Sequence, residues 1–312
     1  MENYTYPPYF NLTMFGNIGN YRYPAFVLCL LLYACIISAN LVIIVVISRE
    51  KTLHEPMYIF VMCLSINSLY GSAGFFFRFL RDLLSDTHLI PRSACFLQIY
   101  VIYTYASYEL TILGIMAYDR YVAVCQPLHY HIKITSKMVS KLIAFAYVYP
   151  VFSLAACVYL SSRLPLCGNT IPKVFCATWP VVKLSCVSIV INDLVGRFVS
   201  ISTVFLPLAF VLYTYVRIIL LCRKRSSKFR SKVIQNCLPH IITFVNYSIT
   251  AFCDVALSRI DLENLNPFLA VILSLEFVMI PPIVNPVVYG LKLPEIRKCL
   301  SRMLSCSKHD RP

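Results

Sequence analysis

The sequence predicts an all-α membrane protein: a seven-transmembrane helix bundle followed by a short amphipathic C-terminal helix. Three observations carry this. Of the 312 residues, 59% are hydrophobic and only 13% charged, against about 25% charged in soluble domains. Seven apolar stretches are each long enough for the ~20 residues a helix needs to cross a bilayer. The basic residues are also unevenly shared, with 19 of the 28 Lys and Arg falling in alternate connections and in the C-terminal tail.

The spans are placed at 24–48, 57–80, 94–119, 140–160, 197–221, 236–257 and 267–291. Inside lipid the backbone has no water to bond, so each must be helical. The chain thus divides into an N-terminal tail (1–23), a membrane domain (24–291) and a tail with the amphipathic helix (292–312). The third span is the most polar, carrying Tyr103, Thr104, Tyr105, Ser107, Tyr108 and Glu109. Such groups face the bundle interior rather than lipid. Pro207 and Pro286 fall inside spans, where they interrupt the hydrogen-bond ladder and offer bending points.

Orientation follows from the basic residues. Arg49 and Lys51, Arg120 to Lys141, Arg217 to Lys232 and Lys292 to Arg311 all lie on the side away from the N-terminus. The positive-inside rule therefore sets the N-terminus outside and the C-terminus in the cytoplasm of a multi-pass cell-membrane protein. The net charge of +14 is chiefly this topology signal and suits anionic inner-leaflet lipid. No soluble basic module points to nucleic acid. Residues 1–20 lack the apolar region of a cleavable signal peptide, so the first span is expected to serve as its own insertion signal. Sequons at Asn3 and Asn11 lie in the outer tail, as N-glycosylation requires. The triplet at Asn246 lies inside the sixth span and is rejected.

The long connection 161–196 holds Cys167, Cys176 and Cys186, and Cys95 opens the third span on the same outer side. Four cysteines in an oxidising compartment permit three pairings. Beyond the seventh span, Ile296, Leu300, Met303 and Leu304 recur at helical spacing with Arg297, Lys298, Arg302 and Lys308 between them. This predicts a helix lying on the inner membrane surface, with Cys299 and Cys306 as candidates for palmitoylation.

Catalysis finds little support. Joint metal ligation by His129 and His131, which flank Tyr130, is not expected, and "HEPMY" at 54–58 lacks the second His of a zinc helix. With 8 Gly there is no glycine-rich phosphate loop. An enzyme is not expected, nor a cofactor, with one exception, a sodium ion considered below.

The motifs lead elsewhere. Asn40, "LHEPMYIFVMCLS" (53–65), "MAYDRYVAVCQPLHY" (116–130), "SKVIQNCLPHI" (231–241) and "PPIVNPVVYGLK" (281–292) occur in this order. The series resembles the rhodopsin-like G-protein-coupled receptors and, within them, the odorant receptors, most closely those of fish type. It covers essentially all of residues 20–305. The resemblance implies that Arg120 is held by Asp119 at rest and, once freed, helps admit the C-terminal helix of a Gα subunit. Tyr121, Tyr215, His240, Asn285, Pro286 and Tyr289 match other positions of the coupling machinery. Pro239 departs from the family's pattern. The resemblance also implies bridges Cys95–Cys176 and Cys167–Cys186, folding the long loop into a lid.

By the same resemblance, a small-molecule odorant would bind in the outer half of the bundle. Its pocket would draw on Ile99, Ile102, Tyr103, Ala106, Ser107, Val199, Thr203, Tyr247, Thr250, Ala251 and Val278, with Asp254 and Arg259 as charged candidates. An Asp stands at Ile102 in amine receptors of the wider family, and its absence argues against that mode of amine recognition. Glu109 is a mid-membrane carboxylate, expected with Asn40, Ser68 and Asn285 either to form a hydrated sodium site or to hold a proton. The partner implied is the stimulatory, cyclic-AMP-raising heterotrimeric G protein of olfaction. The rival readings are a peptide or lipid receptor of the same superfamily and a transporter or channel. Against the latter, no inverted repeat is visible.

Overall fold

The computed structural model describes residues 6–17, 21–223, 225–257, 267–293, 295–299 and 301–302, the side chains of 16–17, 254–257, 267–274 and 277 aside. Among them are seven long helices: α1 (Arg22–Arg49), α2 (Pro56–Leu84), α3 (Arg92–Cys125), α4 (Ser136–Ser162), α5 (Val190–Arg223), α6 (Ser227–Leu257) and α7 (Pro267–Lys292). Each contains most or all of one expected span and overruns it. The largest extension, nine residues at the start of α6, is rich in Lys and Arg. Among the described residues, α1 to α5 are each long and apolar enough to cross a membrane.

The ends follow local chemistry. Pro56 opens α2, where its missing N–H costs nothing. Thr135 caps α4 by accepting from the Met138 N–H. In α5 the ladder loosens into a π-turn at Ile201–Phe205, and the Leu206 N–H reaches back to the Ile201 carbonyl. Pro207 follows directly: it has no N–H to give, and its ring crowds the carbonyl four residues back. Pro239 and Pro286 are absorbed within α6 and α7.

The helix α3 is the axis. It packs on α2, α4, α5 and α6, while α7 packs on α1, α2 and α6. Almost three-quarters of the apolar window of α3 is buried (72%), against 28% for α1, whose outer face is left for lipid. At Gly71 and Gly74 the backbone of α2 comes against α3. A Cβ on Gly71 would stand 2.4 Å from the Tyr105 ring, and one on Gly74 2.2 Å from Val101 Cγ1.

At the outer end a small sheet forms that the polar N-terminal tail does not announce. Its order is β2 (Leu89–Pro91), β1 (Tyr9–Leu12), β3 (Thr170–Ile171). The central strand runs antiparallel to β2, with Phe10 opposite Ile90, and parallel to β3, with Leu12 opposite Ile171. Those four apolar side chains are buried beneath it. The structure joins Cys95 to Cys176 and Cys167 to Cys186. The Cys176 N–H also donates to Gln98 Oε1 at 3.0 Å, so the loop is fixed to α3 twice within one helical turn.

At the inner end, residues 295–299 and 301–302 are helical. Ile296 and Cys299 face inward and are buried, while Arg297 and Lys298 are exposed.

The tight α2–α3 approach yields a prediction. Gly71→Ala forces the Tyr105 ring to move and should cost about 1–3 kcal/mol by overpacking. It should lower the melting temperature of the purified protein. Gly196→Ala, whose Cβ meets nothing within 4 Å, should leave it unchanged.

Candidate functional site

Three layers of the residues singled out in the sequence lie along α3. The inner layer is at Asp119, 1% exposed. Its Oδ2 accepts from Arg120 Nε at 3.0 Å and Nη2 at 2.6 Å, and its Oδ1 accepts from the Tyr130 hydroxyl at 2.8 Å. The carboxylate is therefore held on both oxygens. Burial and the adjoining Asp119 charge push the Tyr130 phenol above its ordinary range, so it stays protonated and donates. The chain can bring Tyr130 back because α3 ends at Cys125 and Pro127 opens a tight turn.

Tyr215 on α5 and Cys237 on α6 pack in one cluster with Ala117 and Tyr121 of α3, and His240 is buried on α6. The Tyr215 hydroxyl is buried without a hydrogen-bond partner, as is His240 Nε2. The Tyr289 hydroxyl meets Thr243 Oγ1 at 3.0 Å and His240 Nδ1 at 3.4 Å, tying α7 to α6. Tyr121 is half-buried against both packed clusters, and Pro286 is buried in α7.

The middle layer is built on Glu109, fully buried. Asn67 Nδ2 donates to its Oε2 at 2.7 Å and Asn285 Nδ2 to its Oε1 at 2.5 Å. Asn40 Nδ2 donates to the carbonyls of Ile36 and Pro282, each at 2.9 Å, and so ties α1 to α7 one turn from Asn285. Of the four residues expected here, Asn40, Glu109 and Asn285 take part in these contacts. The α2 residue that bonds Glu109 is Asn67 and not its neighbour Ser68. Three acceptors in this layer are buried without partners: Asn40 Oδ1, Asn67 Oδ1 and Ser68 Oγ.

The outer layer gathers most of the expected pocket residues. Ile99, Ile102, Ala106, Tyr247 and Val278 share one packed cluster, with Tyr103 and Ala251 against it. The Tyr247 hydroxyl donates to the Ala106 carbonyl at 3.0 Å, joining α6 to α3. Ser107 is buried beside them on α3. Thr203 and Thr250 turn their hydroxyls onto their own helices, to the carbonyls of Val199 and Tyr247. Val199 is buried on α5 outside both packed clusters. The side chain of Asp254, and Arg259 altogether, lie outside the described residues.

Elsewhere, Asn11 is half-buried in the central strand, and Asn3 and Cys306 lie outside the described residues. Cys299, named as a lipidation candidate, is 2% exposed and packed on the bundle. Sequence reasoning did not single out Asn67 or Tyr130. Asn67 stands one position from a residue that was named, and Tyr130 closes the run containing Asp119. Only the turn at Pro127 brings it within bonding distance.

A family profile described as "Olfactory receptor" matches residues 28–307. The chain is 33% identical over 282 residues to human Olfactory receptor 6N1, covering 89% of each. It is 31% identical to human Olfactory receptor 51E1, over 91% of this chain and 89% of that one. It is 29% identical to human Olfactory receptor 51I2, over 96% and 97%. In fold it is similar to squid rhodopsin in its crystal structure, with a TM-score of 0.72 at 15% identity over 90% of this chain and 80% of that one. With its helical bundle, its paired outer-loop cysteines and its Asp–Arg latch, the chain belongs to the olfactory receptor family, a class of membrane receptors and not of enzymes.

Proposed function

We propose that this receptor takes a small amphiphilic odorant into the outer layer between α3, α5, α6 and α7 and activates a stimulatory, olfactory-type heterotrimeric G protein. The N-terminus faces outside and the C-terminus the cytoplasm, as the distribution of Lys and Arg supports. The observation that carries the reading is the Asp119 carboxylate, held by Arg120 on one oxygen and by Tyr130 on the other.

Ile102 and Asp119 are 17 residues apart on one helix, about 25 Å at a rise of ~1.5 Å per residue. An odorant cannot touch the latch. It acts by favouring one arrangement of helices over another, and the G protein favours the same one, so each raises the affinity for the other. The ties that must change are few and lie on α6 and α7: Tyr247 to Ala106 above, and Thr243 and His240 to Tyr289 below. The Tyr215 hydroxyl, buried without a hydrogen-bond partner in the cluster against which Tyr121 packs, would take up Arg120 once the latter leaves Asp119. The guanidinium remains charged throughout and offers five donors to a new partner.

The middle layer suits a sodium ion. Asn40 Oδ1, Asn67 Oδ1 and Ser68 Oγ are oxygen acceptors buried without partners near a carboxylate. A hard cation takes an all-oxygen donor set. Bound there, it would supply a positive charge opposite Glu109. Glu109, Asn67, Ser68 and Asn40 would hold it, and Asn285 would keep Glu109 in place. A protonated Glu109 has a single O–H to donate and could meet at most one of those acceptors.

Three measurements test these statements. A screen of odorants read out by cyclic AMP should find agonists for the native receptor and none for Arg120→Ala expressed to the same surface level. A hydrogen bond to a charged group contributes about 1.5–3 kcal/mol. Tyr130→Phe should therefore raise ligand-independent cyclic AMP roughly tenfold, and an unchanged basal level would remove Tyr130 from the latch. Sodium should raise the melting temperature of the purified native receptor but not of Glu109→Gln. A shift that persists in Glu109→Gln places the ion elsewhere.

A further inference from the structure

The outer ends of α3 and α4 and the N-terminal strand enclose a cleft of about 580 Å³ that the signalling path does not use. Its walls are Pro8, Tyr9, Pro91, Phe96, Val158 and Ser162, largely apolar, and into them is set one cation, Arg92.

Arg92 is fixed from several sides. Its backbone N–H donates to the Pro8 carbonyl at 2.9 Å. Its Nη2 donates to the carbonyls of Ser162 and Leu164 at 2.8 and 3.2 Å. The guanidinium lies 5.2 Å from the centre of the Tyr6 ring and 5.5 Å from that of Phe96. What it lacks is an anion. On the same outer half, Arg22, Arg78 and Arg197 are paired with Asp86, Asp82 and Asp193. Among the described residues no carboxylate reaches Arg92, and its Nη1 is enclosed without an acceptor. A half-buried charge with unmet N–H bonds beside an apolar cleft is the complement of an amphiphile with an oxyanion head. With Nη2 already bonded to two carbonyls, a carboxylate or phosphate oxygen would be held through a single charge-assisted N–H bond and the uncompensated guanidinium charge, and the apolar walls match a hydrocarbon chain.

We infer that this cleft is a second binding site, separate from the interhelical pocket, for an amphiphilic oxyanion whose head bonds Arg92 and whose chain lies along Phe96 and Val158. The outer ends of α3 and α4 reach the membrane surface. The oxyanion can therefore come from an outer-leaflet lipid phosphate or from a water-borne organic carboxylate.

The test uses the full-length receptor in a neutral maltoside detergent, with retained ligands counted by native mass spectrometry. One arm offers dodecanoate against dodecanol, the other phosphatidylglycerol against phosphatidylcholine. At least one arm should show a tenfold or greater preference for the anion, and the arm that does identifies the source. Arg92→Gln should abolish the preference. Val158→Trp, which fills the cleft and leaves Arg92 and its carbonyl partners in place, should abolish it too, with a melting temperature near that of the native receptor. No preference in either arm, or a preference that survives in either variant, overturns the proposal.

Discussion

A carboxylic acid sealed in the interior of a bilayer must find its partners within the protein, and Glu109 finds them on two other helices. Asn67 from α2 and Asn285 from α7 each take one of its oxygens. Three helices are thereby fixed at one level, and Asn40 ties α1 to α7 one turn away. In a low-dielectric setting an unpaired group here would be costly. This cluster therefore fixes α2, α3 and α7 in one register. The pocket residues lie above it and the latch below, and both inherit their placement from α3.

The inner end shows how a charge can be stored at a membrane edge. Asp119 is nearly sealed, yet both its oxygens are occupied, one by its neighbour and one by a residue eleven positions on. Around it lie groups whose bonding is incomplete, the Tyr215 hydroxyl and His240 Nε2. Filled bonds at Asp119 thus stand at the same end of the bundle as unfilled ones on α5 and α6. At this end Tyr289 of α7 holds α6 through Thr243 and His240.

The outer end is built differently, chiefly by covalent and backbone ties, with the buried Arg78–Asp82 pair beside them, whose Arg78 Nη2 donates to the Leu89 carbonyl of the sheet. Three chain segments that are far apart in sequence form one sheet, and the bridge from Cys95 to Cys176 anchors the long loop to the start of α3. The strand Tyr9–Leu12 alternates outward and inward side chains, burying Phe10 and Leu12. The cover is thus held by backbone pairing and by its own buried apolar side chains together, among them Phe10, Leu12, Ile171 and Phe175.

Much of this was legible in the sequence because it depends on one-dimensional rules. Span length, the absence of water in lipid, and the sidedness of Lys and Arg set the seven helices and their expected orientation, and the run around Asp119–Arg120 named the family. What depends on the meeting of distant segments was not legible. The polar tail gave no sign that its residues 9–12 would complete a sheet, because a strand of four residues is specified by its partners and not by itself. Asn67 and Ser68 differ by a rotation of about 100° on a helix, and only the packing of α2 on α3 chose Asn67 for Glu109. The sequence named Cys299 as a lipidation candidate, and only the packing of its segment shows that the side chain is buried. The sequence by itself determined which segments cross the bilayer and which side chains carry the chemistry. Tertiary structure alone decided which of those side chains touch, since a hydrogen bond requires a specific approach within about 3 Å that no periodicity encodes.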